Sequence, residues 1–125
     1  MGLKKLLPLL GLALFGTSLG GFSEEIITLK WKRYVGEKNL TITNQPLIYR
    51  DKILHATKGD EGGKDKYDKL YVFDKDGNLL WSFSPPDGGD TDLNGVVACD
   101  EFIAVTSDGG FVYAISWEGK ILWKR

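Results

Sequence analysis

The 125-residue chain has a single cysteine, Cys99, and a single histidine, His55. A lone cysteine forms no internal disulfide and supplies no cysteine-rich metal cluster. A lone histidine argues against a His-based zinc centre and against a Ser-His-Asp site. Long apolar runs are also missing. The longest, Leu6 to Phe15, is interrupted by Pro8 and Gly11, and a membrane helix needs about 20 apolar residues. Neither sign of charge dominates: Lys and Arg number 16, Asp and Glu 17, for a net charge of −1. The two signs are interspersed, so no nucleic-acid face is expected. What remains is 42% apolar and 26% charged, a balance that fits one ordinary globular domain rather than a disordered chain.

The N-terminus carries an addressing signal. Lys4 and Lys5 precede the apolar run, and Ser18 and Gly20 place small residues where a signal peptidase reads. That pattern is a secretory signal peptide over residues 1–20, with an uncleaved membrane anchor as the alternative. No cysteine follows the run, which counts against a lipid anchor. The mature chain, residues 21–125, is expected in an exported space, periplasmic or extracellular, with no stable membrane span after cleavage.

Self-similarity organises the rest. Tyr71, Gly77 and Trp81 recur 42 residues later as Tyr113, Gly119 and Trp123. Upstream, Pro46–Thr57 aligns with Gly95–Thr106 at an offset of 49, so seven extra residues fall between Thr57 and Tyr71. Trp31-Lys32-Arg33 echoes Trp123-Lys124-Arg125. Each unit divides at turn signals into four short strands, A to D. In the second unit these are Val96–Cys99, Phe102–Ser107, Phe111–Ser116 and Ile121–Lys124. Four strands in about 40–45 residues is the size of one propeller blade. Blades are expected at about 40–84 and 92–125, with residues 26–33 as an initial D strand. The fold class is all-β: a partial β-propeller of two four-stranded antiparallel blades plus that initial strand.

The order Ala114, Gly119, Lys120, Trp123, with its copy Val72, Asp74, Gly77, Asn78, Trp81, resembles the tryptophan-docking repeat of the quinoprotein, or PQQ-like, β-propeller family. In that family an Ala-x-Asp…Gly-Lys-x-x-Trp segment spans strands C and D, and its tryptophan packs on the neighbouring blade. Ser116 stands where the family has aspartate, and Val72 where it has alanine. The resemblance implies that Trp31, Trp81, Trp123, Gly77 and Gly119 are inter-blade structural residues. Trp117, in a turn without a counterpart in the first repeat, is read as a contact residue or as a cap over a blade edge.

Strand counting gives three D strands but two each of A, B and C, so the chain cannot close a ring on itself. Either this is the N-terminal part of a longer propeller, the reading that the missing polar cap favours, or copies assemble. The expected function is an exported, non-catalytic β-propeller module for binding or scaffolding, with protein or further propeller blades as partners. The alternative is an N-terminal part of a PQQ-dependent dehydrogenase. Many enzymes of that class stack a pair of adjacent cysteines on the cofactor, and this chain has no such pair.

One segment could carry a metal. Asp90-Thr91-Asp92-Leu93-Asn94-Gly95, with Glu101, satisfies the EF-hand pattern, but Pro85 and Pro86 precede it and strand A interrupts it, so the flanking helices cannot form. A partial calcium loop at Asp90, Asp92 and Asn94 remains, against a plainer reading as a solvated acidic loop; no other cofactor is expected. The charged insertion, residues 58–68, and this D–A loop leave the blades on one face. Asp60, Glu61, Tyr67 and Asp87 are therefore the binding-face candidates. His55 is read as a packed or edge histidine, Cys99 as an inert thiol, and Asn39-Leu40-Thr41 as a glycosylation sequon.

Overall fold

The structure, a computed structural model, describes residues 27–36, 41–59 and 64–125. Two compact units divide the chain, Met1–Lys30 and Trp31–Arg125. In the first, residues 27–30 are exposed and carry no regular secondary structure. The expected signal segment, the Asn39 sequon, and the candidates Asp60 and Glu61 lie outside the described residues. No helix among the described residues is long and apolar enough to cross a membrane.

The second unit is all-β. Its strands are β1 (Thr41–Thr43), β2 (Leu47–Tyr49), β3 (Lys52–Gly59), β4 (Lys69–Asp74), β5 (Leu79–Phe83), β6 (Leu93–Ala98), β7 (Ile103–Ser107), β8 (Val112–Ile115) and β9 (Ile121–Lys124). They form two antiparallel sheets, β1-β3-β4-β5, with β2 also on β3, and β6-β7-β8-β9. β1 and β2 occupy successive parts of one edge of β3, pairing Thr43 with Thr57 and Leu47 with Leu54. The first sheet is therefore four strands wide, like the second, and the pair makes two blades of a partial propeller.

Period-two alternation selects the buried faces. Leu54 and Ala56 of β3, Leu70 and Val72 of β4, and Phe83 of β5 meet Leu93, Ile103, Val105, Tyr113 and Ile115 of the second sheet in one core. Phe83 and Tyr113 meet edge to face, with ring centroids 5.4 Å apart. The Asn44 side-chain amide, in the gap between β1 and β2, donates across the joint to the Leu93 carbonyl at 2.7 Å.

The repeat extends to irregularities. Register shifts between Val72 and Phe73 against β5, and between Ala114 and Ile115 against β9. Both shifts have one cause, a hairpin loop closed by a glycine in the left-handed region: Gly77 at φ 85° and Gly119 at φ 92°. A type I turn followed by a left-handed glycine gives this bulge. In the first loop the Asp74 carboxylate accepts from the Asp76 and Asn78 N–H groups, each at 2.9 Å. In the second, the Ser116 hydroxyl oxygen accepts the Lys120 N–H at 3.2 Å. Serine thus does part of what aspartate does in the first copy.

The initial D strand expected at 26–33 is not formed over its described part, residues 27–33. A D strand needs a C strand of its own blade to pair with, and the described residues supply none. Trp31 and Arg33 are held by their side chains instead.

Candidate functional site

Two tryptophans dock in the same way on two glycine turns. The Trp31 indole N–H donates to the Lys75 carbonyl at 3.0 Å, and the Trp81 indole N–H to the Trp117 carbonyl at 2.8 Å. Each acceptor lies two residues before the glycine. A Cβ on Gly77 would come within 2.6 Å of Trp31 Cδ2, and one on Gly119 within 3.0 Å of Trp81 Cδ2. Glycine is favoured at both turns by its φ; at Gly77 the ring lying on it also leaves no room for a Cβ, and at Gly119 the ring would have to give by a few tenths of an ångström. Trp81 carries the joint between the sheets. Trp123, third in the series, is 41% exposed on the outer strand β9, and no described glycine lies against it. Ile121 and Leu122 beside it are exposed too.

Trp117 caps the joint. It stacks on Tyr49 at 5.5 Å, and its indole N–H donates to the Cys99 carbonyl at 3.0 Å. With Tyr49, Arg50, Asp51, Lys52 and Asp100 it lines an open cleft of about 210 Å³. Within it Arg50 makes a two-point contact to Asp100, at 2.9 and 3.0 Å, and Tyr49 donates its hydroxyl to the same carboxylate.

At the opposite end of the strands, aspartates from three loops converge. Oxygens of Asp65, Asp68 and Asp92 lie within 4.8 Å of one another, as do oxygens of Asp90, Asp92 and Asp108. Of the three residues expected to hold calcium, Asp90 and Asp92 are brought together. Asn94 is turned to Asp108, to which its side-chain amide donates. Glu101 falls beyond β6, in the turn before β7. Asp65, Asp68 and Asp108 were not legible as members of the group, although the insertion and the acidic loop sharing one face was the available signal.

Asp92 and Asp68 titrate differently. Burial first, then the neighbouring Asp68 carboxylate, pushes Asp92 up to about 7. Burial also pushes Asp68 up, but hydrogen bonds from Thr91 and from the Asp65 and Gly59 N–H groups outweigh it and hold Asp68 below the usual carboxylate range.

Two of the binding-face candidates, Asp87 and Tyr67, are among the described residues. Asp87 accepts the Tyr113 hydroxyl at 2.5 Å and pairs with Lys124. Burial and Asp87 together push the Tyr113 phenol up to about 12. Tyr67 is half-buried, with its carbonyl accepting the Thr57 hydroxyl at 2.6 Å. His55, in β3 opposite Tyr71, has its imidazole pushed down by burial. The Cys99 thiol lies 3.3 Å from a Glu101 carboxylate oxygen.

Three further carboxylates set an acid limit. Asp87 is held low chiefly by Lys124, Asp74 by the Asn78 N–H, and Asp100 by Tyr49 and then Arg50. A carboxyl whose folded value is depressed adds stability that is complete above its unfolded value, about 4, and is lost as pH falls through the folded value. Thermal melts between about pH 6 and pH 2 are therefore expected to show the midpoint falling below about pH 4. Asp87→Asn is expected to flatten that fall. An unchanged acid slope in the variant would remove Asp87 from this account.

No family model matches the chain, and no curated protein matches it.

Proposed function

We propose that the chain is a non-catalytic β-propeller repeat module, exported from the cytoplasm, that binds or scaffolds protein by adding a blade at its open edge. The observation that carries the reading is the tryptophan series. Trp31 and Trp81 each lie on a glycine turn with the same hydrogen bond, whereas Trp123 presents the third indole on an edge strand. The resemblance to the quinoprotein repeats supports it, because there the same tryptophan packs on the neighbouring blade. Exposed apolar residues on an outer strand suit association better than solvent. The partner surface is accordingly a left-handed glycine turn that accepts an indole, as Gly77 and Gly119 do.

Light scattering behind size exclusion, with circular dichroism on the same peak, tests this on the full chain. A β-rich assembly of fixed stoichiometry is expected, reverting to monomer in Trp123→Ala with the β signal retained. Trp123→Ala is expected to cost the isolated fold only about 1 kcal/mol, because the ring is partly exposed and a full burial is worth several times that. A wild-type chain that stays monomeric and well folded would overturn the open-edge reading.

A further inference from the structure

We propose that Asp65, Asp68 and Asp92 bind one hard divalent cation of the calcium class, which ties the β3–β4 connection to the segment entering β6. Their oxygens lie within 4.8 Å of one another. Ligand oxygens around an ion bound at 2.3–2.6 Å are separated by about 3–5 Å, so one ion can reach all three.

Burial gives the group its meaning. Asp68 is 1% exposed and Asp92 7%, and two carboxylates side by side out of water are costly unless something neutralises them. Asp68 is oriented from outside: its oxygens accept the Gly59 N–H at 3.1 Å, the Asp65 N–H at 3.0 Å and the Thr91 hydroxyl. Such donors fix a ligand carboxylate in place. Asp92 Oδ1 is buried and, among the described residues, has no hydrogen-bond partner. A buried carboxylate oxygen without a donor, beside two other carboxylates, is what a cation would satisfy.

The nearby lysines are turned elsewhere. The Lys64 ammonium donates to the Pro85 and Asp87 carbonyls at 2.7 and 3.1 Å, and Lys69 to the Ser84 hydroxyl at 2.8 Å. Lys66 lies over the Tyr67 ring, 5.2 Å from its centroid.

Donor chemistry selects the ion. Oxygen-only ligands suit calcium and magnesium rather than zinc or copper. Asp65 and Asp68, though not Asp92, line a cleft of about 350 Å³, which leaves room on their side for water molecules to complete six to eight ligands. That irregular, partly hydrated shell fits calcium better than the strict octahedron of magnesium. Asp90 and Asp108, both less buried than Asp68 and Asp92, are engaged in the loops themselves, Asp90 accepting the Asp92 N–H and Asp108 the Asn94 amide.

Calcium chloride titrated into the chelator-treated full chain, followed by calorimetry and thermal melting, tests the site. One binding event is expected, with the midpoint rising by about 5 °C or more at a tenfold excess over Kd. Asp92→Asn is expected to weaken binding at least tenfold, and Asp65→Asn, at a less buried ligand, to weaken it in a chain that folds even where the first variant does not. Asp76→Asn, in the β4–β5 turn, is expected to leave it unchanged. No heat and no midpoint shift up to about 10 mM calcium, above the range of the weakest extracellular sites, would overturn the proposal, as would a full response in both ligand variants.

Discussion

Trp81→Ala is expected to lower the unfolding free energy by about 3 kcal/mol, at the lower end of the range for removing a buried tryptophan. The ring is only half-buried, which sets the lower end, but three things depend on it. It packs against the shared core of the two sheets. Its indole N–H satisfies the Trp117 carbonyl. It also covers the Gly119 turn, so its loss uncovers a backbone loop as well as a cavity. Trp117 then loses one of the contacts that keep it stacked on Tyr49. Against a total of about 5–15 kcal/mol for a small domain, the loss is large enough to lower the urea midpoint without changing its slope. Trp31→Ala is expected to cost less, since Trp31 covers an outer turn and leaves the joint between the sheets intact. Urea unfolding followed by far-ultraviolet circular dichroism ranks Trp81 above Trp31 and Trp31 above Trp123. A Trp123→Ala monomer as destabilised as Trp81→Ala would mean that the edge indole is part of the fold rather than a contact for another blade.

The features legible in the sequence are those that local chemistry decides. A glycine after a polar turn marks a hairpin whatever surrounds it, and both hairpins sit where Gly77 and Gly119 place them. Strand β9 has the bounds read from Ile121–Lys124 because that hairpin fixes its start. Long-range contacts were less visible. The break between β1 and β2 falls at Asn44–Pro46, where Pro46 has no N–H to give a ladder and Asn44 spends its amide on Leu93 in the other sheet. Residues 27–33 include strand-forming residues, yet strand propensity forms nothing without a neighbour to complete the ladder. The acidic site shows the same limit. Asp90 and Asp92 stood out as a local pattern, but Asp68 sits 24 residues before Asp92. Only the packing of the two sheets brings its connection against β6. Asp87, read from the sequence only as a binding-face candidate, is bound to Tyr113 and Lys124, partners 26 and 37 residues away.

Gly119→Ala is expected to cost about 2–4 kcal/mol, and the size of the loss depends on Trp81. One part is backbone. At φ 92° an L-residue is strained by about 1–2 kcal/mol wherever it sits. The other part is contact. The new methyl would lie 3.0 Å from Trp81 Cδ2 and 3.2 Å from Cε3, and a ring hydrogen-bonded at its far edge cannot retreat without giving up the Trp117 carbonyl. The two parts separate in a double-mutant cycle. In a Trp81→Ala background the methyl meets no ring, so Gly119→Ala should cost only the backbone part. The coupling between the two substitutions is then about 1–2 kcal/mol, within the range seen for residues in contact. Gly110 provides the control: its φ is 89° and a Cβ there meets nothing within 4 Å. Gly110→Ala should therefore show the backbone part alone and no coupling to Trp81. Additive losses for Gly119 and Trp81 would mean that the turn requires glycine for its conformation only, and that the indole above it is incidental.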